Sequence, residues 1–303
     1  MDYQSDRQQS VTPSARSSPN MTRLRVALLR GDDHHNLHMD RLLRERFDMV
    51  ATVVEPQAAQ RRALRRRGKW RDAVAAEYHR ARRTALGLNR YRRAYFADEL
   101  RGYSPHADAE ILTVESINDA RVPSAVSAAR PDICVITCTT ILSRETITGI
   151  GADIVNIHGG HLPDYRGCHC FFFALYDGRF DRIGSTIHFV DPGVDTGDII
   201  EVVRPAIHRS DNAEKLYCRA ERLAAYRACE LLACLESGEP LPRTPQPFRG
   251  RLCLRRDRRP MHDLRFVARR LCGRLRLPEV GQGERWQADT PPEPALPATK
   301  LGG

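Results

Sequence analysis

Short apolar runs alternate along this chain with longer stretches in which apolar residues recur every three or four positions. Residues 24–29 (Leu-Arg-Val-Ala-Leu-Leu) are the first strand-like run, and Gly31-Asp32-Asp33 supplies the turn that ends it. Residues 36–47 then put Leu37, Leu42 and Leu43 on one helical face. Strand-like runs follow at 49–54, 110–114, 132–137 and 154–157, and the runs at 186–190 and 199–203 flank an Asp191-Pro192-Gly193 turn as a hairpin would. From 212 to 235 the spacing of Leu216, Leu223, Leu231 and Leu232 describes an amphipathic helix, which Gly238 terminates. Strands separated by helical segments predict a Rossmann-like α/β fold: an open, mainly parallel twisted sheet with helices on both faces.

The ends of the chain read differently. Residues 1–21 are too polar to offset the entropy of ordering, so a disordered tail is expected there, with Met21 a candidate true start. Beyond residue 240 come prolines, arginines, a helix-like stretch at 263–271 and a Pro- and Glu-containing tail from about 277. This portion, 241–303, is expected to be a short C-terminal extension that packs on a catalytic domain of residues 22–240 and has a disordered end. A chain of 303 residues with 41% apolar content can bury the core that such a domain needs. No window approaches eighteen apolar residues and the first twenty lack the apolar core of a signal peptide, so a cytoplasmic protein without a membrane partner is expected.

Charge and cysteine refine this picture. Residues 57–101 hold fourteen Lys/Arg against four Asp/Glu, a difference of +10, and the whole chain carries +10. The basicity therefore belongs to one segment, read as a helical insert that is either a solvated face or a contact for an anionic or nucleotide-linked substrate, with RNA the least favoured partner. Nine cysteines, an odd number set mostly in apolar runs, point to buried thiols rather than disulfides. The Cys168-His169-Cys170 cluster near His158 and His161 lacks the Cys-x-x-Cys spacing of a zinc site, and no metal is expected.

The chemistry concentrates in Asn156-Ile157-His158-Gly159-Gly160-His161-Leu162-Pro163-Asp164-Tyr165-Arg166-Gly167 and, 28 residues after Gly167, Asp195-Thr196-Gly197-Asp198-Ile199-Ile200. An Asn and a His two positions apart at a strand end point to one side, where a later carboxylate can meet them. Acyl transfer needs donors for a tetrahedral oxyanion and a group that accepts the proton of the attacking nucleophile. Asn156 and His158 supply donors, and Asp195 orients His158 and accepts the proton.

This spacing resembles that of the formyltransferases that use 10-formyltetrahydrofolate, whose pattern is Asn-x-His, Leu-Pro-x-Tyr-Arg-Gly and Asp-x-Gly-Asp-Ile; the resemblance spans residues 24–239. It implies catalytic roles for Asn156, His158 and Asp195. It also implies a folate pocket with Thr139, Thr140, Ile141 and Leu142 on one wall and Val190, Pro192 and Val194 on the other. Acceptor contacts are expected from Asp32, His34 and His35 after the first strand and from Tyr165 and Arg166, the latter either on an anionic substrate or on the loop backbone.

Gly159-Gly160-His161 replaces the Ser-Leu that many relatives carry, which leaves the acceptor class open. Asp32 and Asp33 would repel the ribose phosphate that purine-pathway relatives bind, and the C-terminal extension is too short for the barrel domain of the initiator-tRNA relatives. The resemblance therefore implies an N-formyltransferase acting on an amino sugar, often nucleotide-linked, or on a specialised-metabolite amine. A formyltetrahydrofolate hydrolase would keep the same three residues, and a methionyl-tRNA formyltransferase-like or RNA-binding protein is the remaining alternative. A homodimer is left open.

Overall fold

The computed structural model describes residues 23–105 and 111–281. The expected N-terminal tail, Met21, Glu110 and the end of the C-terminal extension lie outside the described residues.

The central sheet has seven strands in the order β3-β2-β1-β4-β5-β7-β8. They are β1 (Arg25–Arg30), β2 (Asp48–Val54), β3 (Ile111–Thr113), β4 (Ile133–Thr137), β5 (Asp153–His158), β7 (Ser185–Phe189) and β8 (Ile199–Val203). The first five are parallel, and β7 and β8 continue the sheet antiparallel as the expected hairpin. Strands β1 and β4 are central and covered on both sides, which explains why Val26–Leu29 and residues 133–136 are apolar without alternation. Helices α1 (His34–Arg46) and α8 (Ala213–Glu236) cover one face through Met39, Leu43, Ala224, Ala228 and Leu232. The opposite face is covered by α5 (Arg121–Ala128) and α6 (Arg144–Ile150) through Val122, Val126 and Ile150.

Helix α1 starts earlier than its leucine spacing implies, at His34, because Asp33 accepts the His34 N–H at 2.8 Å and caps the helix. Its buried face is also more polar than the leucines suggest: His35, Asn36, His38 and Asp40 are buried while Leu37 is only partly so. Asp40 is held by Arg30 at 2.8 Å and Arg44 at 2.7 Å, so the buried carboxylate is paired.

The basic segment forms three helices, α2 (Gln57–Arg66), α3 (Trp70–Ala85) and α4 (Leu88–Tyr95). A second apolar core gathers around α7 (Cys170–Asp177), whose Phe171, Phe172 and Phe173 are all buried. The C-terminal extension completes that core. Strand β9 (Arg251–Cys253) pairs in parallel with β6 (Tyr165–Gly167), and α9 (Pro260–Leu271) inserts Phe266 against Phe172. Helix α9 begins three residues before the predicted Asp263 because Pro260 is pre-shaped for a first helical turn.

Candidate active site

The carboxyl ends of β1, β4 and β5 open into one cavity of about 1150 Å³, on the side of the parallel sheet where ligands are held in such folds. Asn156 and His158 end β5, and Asp195 sits on the loop between β7 and β8. Asp195 takes a left-handed backbone conformation (φ 50°) that turns its side chain back toward β5. Its Oδ2 accepts the Gly167 N–H at 2.8 Å and lies 3.5 Å from His158 Nδ1; its Oδ1 lies 3.5 Å from Asn156 Nδ2. The three residues thus converge and all line the cavity.

A fourth residue belongs with them. His188 stands directly across from Asn156 in the β5–β7 ladder, with Nε2 3.0 Å from Asn156 Nδ2 and 3.6 Å from Asp195 Oδ1. Its Nδ1–H donates to the Phe189 carbonyl at 2.7 Å, which leaves the Nε2 lone pair to accept from the Asn156 amide. The alternation of Thr186 and His188 on a strand facing β5 is the signal that could have exposed this residue.

Electrostatics follow from this packing. Burial pushes the Asp195 carboxyl up, but His158, His188 and the Gly167 N–H together outweigh burial and hold it well below the usual carboxylate range. Burial lowers the His158 imidazole, opposed by the Asp195 charge. His158 Nε2–H donates to the Tyr165 carbonyl at 3.1 Å while Nδ1 faces the carboxylate, so both ring nitrogens point at oxygen acceptors. The site therefore offers an ionised carboxylate next to an imidazole that a proton would join to it. Gly160 is required here, because a Cβ would run into His158 Nε2 and lie 2.7 Å from Cys170 Cβ.

The two predicted walls face the cavity with one exception. Thr139, Thr140, Ile141 and Leu142 line it, and Val190 and Val194 line the other side together with Asp191 and Gly193; Pro192 does not. The first wall is fixed by buried Glu55, whose carboxylate accepts the Thr140 N–H at 2.7 Å and its hydroxyl at 2.9 Å. The second is fixed by Asp191, which accepts from Gly193 N and Thr196 Oγ1.

Of the residues expected to touch the acceptor, only His35 lines the cavity. Asp32 instead accepts the Gln57 N–H at 3.0 Å, and His34 sits beside Asp33. Tyr165 donates its hydroxyl to Asp177, and Arg166 donates to the carbonyls of Val194 and Gly250, so Arg166 fixes the loop backbone. Asp33 takes the inward position through a buried pair with Arg92, which also pairs with Glu214; Tyr217 donates or accepts at 3.1 Å from His35 Nε2. The outer cavity wall comes from α3, α4 and the C-terminal extension, with Arg82, Arg83, Arg255 and Arg258 among its residues. Among the described residues no cluster of three or more His, Cys, Asp or Glu is placed to hold a metal ion, and no helix is long and apolar enough to cross a membrane.

The chain is 35% identical to the methionyl-tRNA formyltransferase of Methylacidiphilum infernorum (isolate V4) over 140 residues, 45% of this chain and 42% of that protein. It is 30% identical to the methionyl-tRNA formyltransferase of Anaeromyxobacter dehalogenans (strain 2CP-C) over 170 residues, 55% of this chain and 54% of that protein. The matched stretch thus spans about half the length of these curated relatives. A solved N-formyltransferase from Helicobacter canadensis, in complex with folinic acid and dTDP-3-aminofucose, overlays with a TM-score of 0.48 at 14% identity, covering 77% of this chain and 72% of that one. The sequence profile of the formyl transferases matches residues 25–228, which take in β1 through most of α8 and all four residues on the cavity floor; the chain belongs to the formyl transferase family.

Proposed function

We propose that this protein is an N-formyltransferase that moves a formyl group from 10-formyltetrahydrofolate to an amine, on an amino sugar (nucleotide-linked in the favoured case) or a specialised metabolite. The observation that carries this reading is the convergence of Asn156, His158 and Asp195 on one cavity floor. The acceptor nitrogen attacks the formyl carbon, the carbonyl oxygen becomes an oxyanion, and the bond to N10 then breaks. An Asn156 N–H and a proton on His158 offset the oxyanion charge. Asp195 holds the imidazolium and takes the amine proton, directly or through water, and N10 leaves with a proton. Thr139, Thr140, Ile141 and Leu142, with Val190 and Val194, hold the folate, and His35 and Tyr217 face the acceptor. Donor and acceptor are both substrates, so no resident cofactor enters these steps.

The experiment is turnover of 10-formyltetrahydrofolate to tetrahydrofolate with nucleotide-linked amino sugars, small amines and methionyl-tRNA as separate acceptors. Release that depends on an amine of the first two kinds supports the proposal. Release without acceptor assigns a hydrolase, and release with methionyl-tRNA alone assigns the activity for which the relatives above are named. No release with any of them rejects formyl transfer to these acceptors.

A further inference from the structure

Helices α3 and α9 break the usual rule that a surface helix turns polar residues to water. In α3 the buried residues are Ala73, Ala76 and His79. The opposite face carries Trp70 and Val74, 63% and 69% exposed, with exposed Ala81 and Ala85 between the same ridges. In α9 the buried residue is Phe266, and the opposite face carries Leu264 and Leu271, 63% and 83% exposed, flanked by exposed Met261 and Val267.

The two helices are joined. Tyr78 donates to Asp263 at 2.7 Å, Arg82 pairs with Asp263 at 3.0 Å, and His79 donates to the Arg255 carbonyl at 3.0 Å. Their apolar faces also reach the mouth of the catalytic cavity, where Ala85, Leu86, Leu264 and Val267 form part of the wall. Exposed apolar side chains gathered on two joined helices mark a contact rather than a solvated surface.

We propose that the outer faces of α3 and α9 are a docking surface for an anionic lipid bilayer. The apolar residues are bordered by exposed Arg67, Lys69, Arg71, Arg259 and Arg265, and α3 belongs to the segment that carries a difference of +10. Basic helices with Trp, Leu and Val on the other side lie in the headgroup region of such bilayers, where each cation adds to the attraction. A second copy of the chain fits less well, because an isologous contact would set these cations against one another. Such docking needs no membrane-crossing helix, and none is found among the described residues. On the reading of formyl transfer above, docking places the cavity mouth against the bilayer, so amines carried at its surface reach Asn156 and His158.

The test is co-sedimentation of the full chain with phosphatidylcholine vesicles, with and without phosphatidylglycerol, alongside sedimentation velocity without vesicles. Val74→Asp and Leu264→Asp are compared with the unaltered chain, and their folding is checked by circular dichroism and thermal melting. Expected is binding to the anionic vesicles that each substitution weakens roughly tenfold or more at unchanged fold. Absence of vesicle binding by the unaltered chain, or binding by both variants as tight as that of the unaltered chain, overturns the proposal. A dimer that the same substitutions dissociate, without vesicle binding, assigns the face to a second copy and also overturns it. Binding of a folate analogue by the unaltered chain is measured in parallel: its absence would count against formyl transfer while leaving the vesicle result to stand alone.

Discussion

Asn156 and His188 face each other across the β5–β7 ladder with the amide nitrogen 3.0 Å from the ring nitrogen. His188 therefore sets which way the Asn156 amide points, and a misaimed amide cannot offset a developing oxyanion. His188→Ala is expected to lower kcat about ten- to a hundredfold with a smaller change in KM for the formyl donor. Steady-state kinetics with the identified acceptor checks this; unchanged kcat would remove His188 from the site.

On the proposed mechanism His158 and Asp195 act on the transition state, so His158→Ala and Asp195→Asn are each expected to cost about 10²–10⁴ in kcat while folate affinity changes by less than about threefold. Turnover together with equilibrium binding of a folate analogue separates the two effects. Full activity in either variant would rule out the assigned chemistry.

Arg92 is buried between Asp33 and Glu214 and lies 4.7 Å from the Tyr217 ring centre. Removing it leaves two largely buried carboxylates that share Arg83 as their remaining guanidinium partner. Arg92→Met is expected to destabilise the fold by about 3 kcal/mol, read from urea denaturation. A loss below about 1 kcal/mol would mean that water already satisfies those carboxylates.

Burial lowers His35 to about 3 and His38 and His79 to about 4. A base whose folded value is depressed keeps its stabilising contribution above the ordinary histidine range and loses it as pH falls toward the folded value, because the unfolded chain binds the proton first. Stability is thus expected to drop between about pH 6.5 and pH 4, with up to about 3 kcal/mol from each such histidine. Both His38 ring nitrogens are buried without a hydrogen bond, so His38→Leu should flatten the decline. Thermal melts across this range decide the matter, and a constant Tm would contradict it.

Much of this architecture was legible from residue order. Strand runs were found within a residue or two because central parallel strands must be apolar on both faces, and the Asn156, His158 and Asp195 spacing located the cavity floor. What escaped depended on distant contacts. Asp32 and Asp33 look equivalent in the sequence, yet only Asp33 turns inward, because Arg92 arrives from α4 to pair with it. His188 lies in an ordinary strand until the antiparallel register sets it against Asn156. For Arg166 the sequence left a substrate contact and a loop-backbone role both open, and the Val194 and Gly250 carbonyls that accept its guanidinium select the second.

The pairing of β6 with β9 has a consequence for the order in which the protein becomes competent. Gly167, which presents its N–H to Asp195, is paired with Cys253, and Gln246 donates to the Asp195 and Gly197 carbonyls at 3.0 and 2.8 Å. During synthesis the sheet can assemble once α8 has emerged, but the loop that carries Asp195 acquires its last restraints only when residues 246–253 follow. Such late, sequence-distant closure is the slow part of folding. A nascent chain would thus own its scaffold before its site, and the Asp195 carboxylate would be among the last groups to find its place.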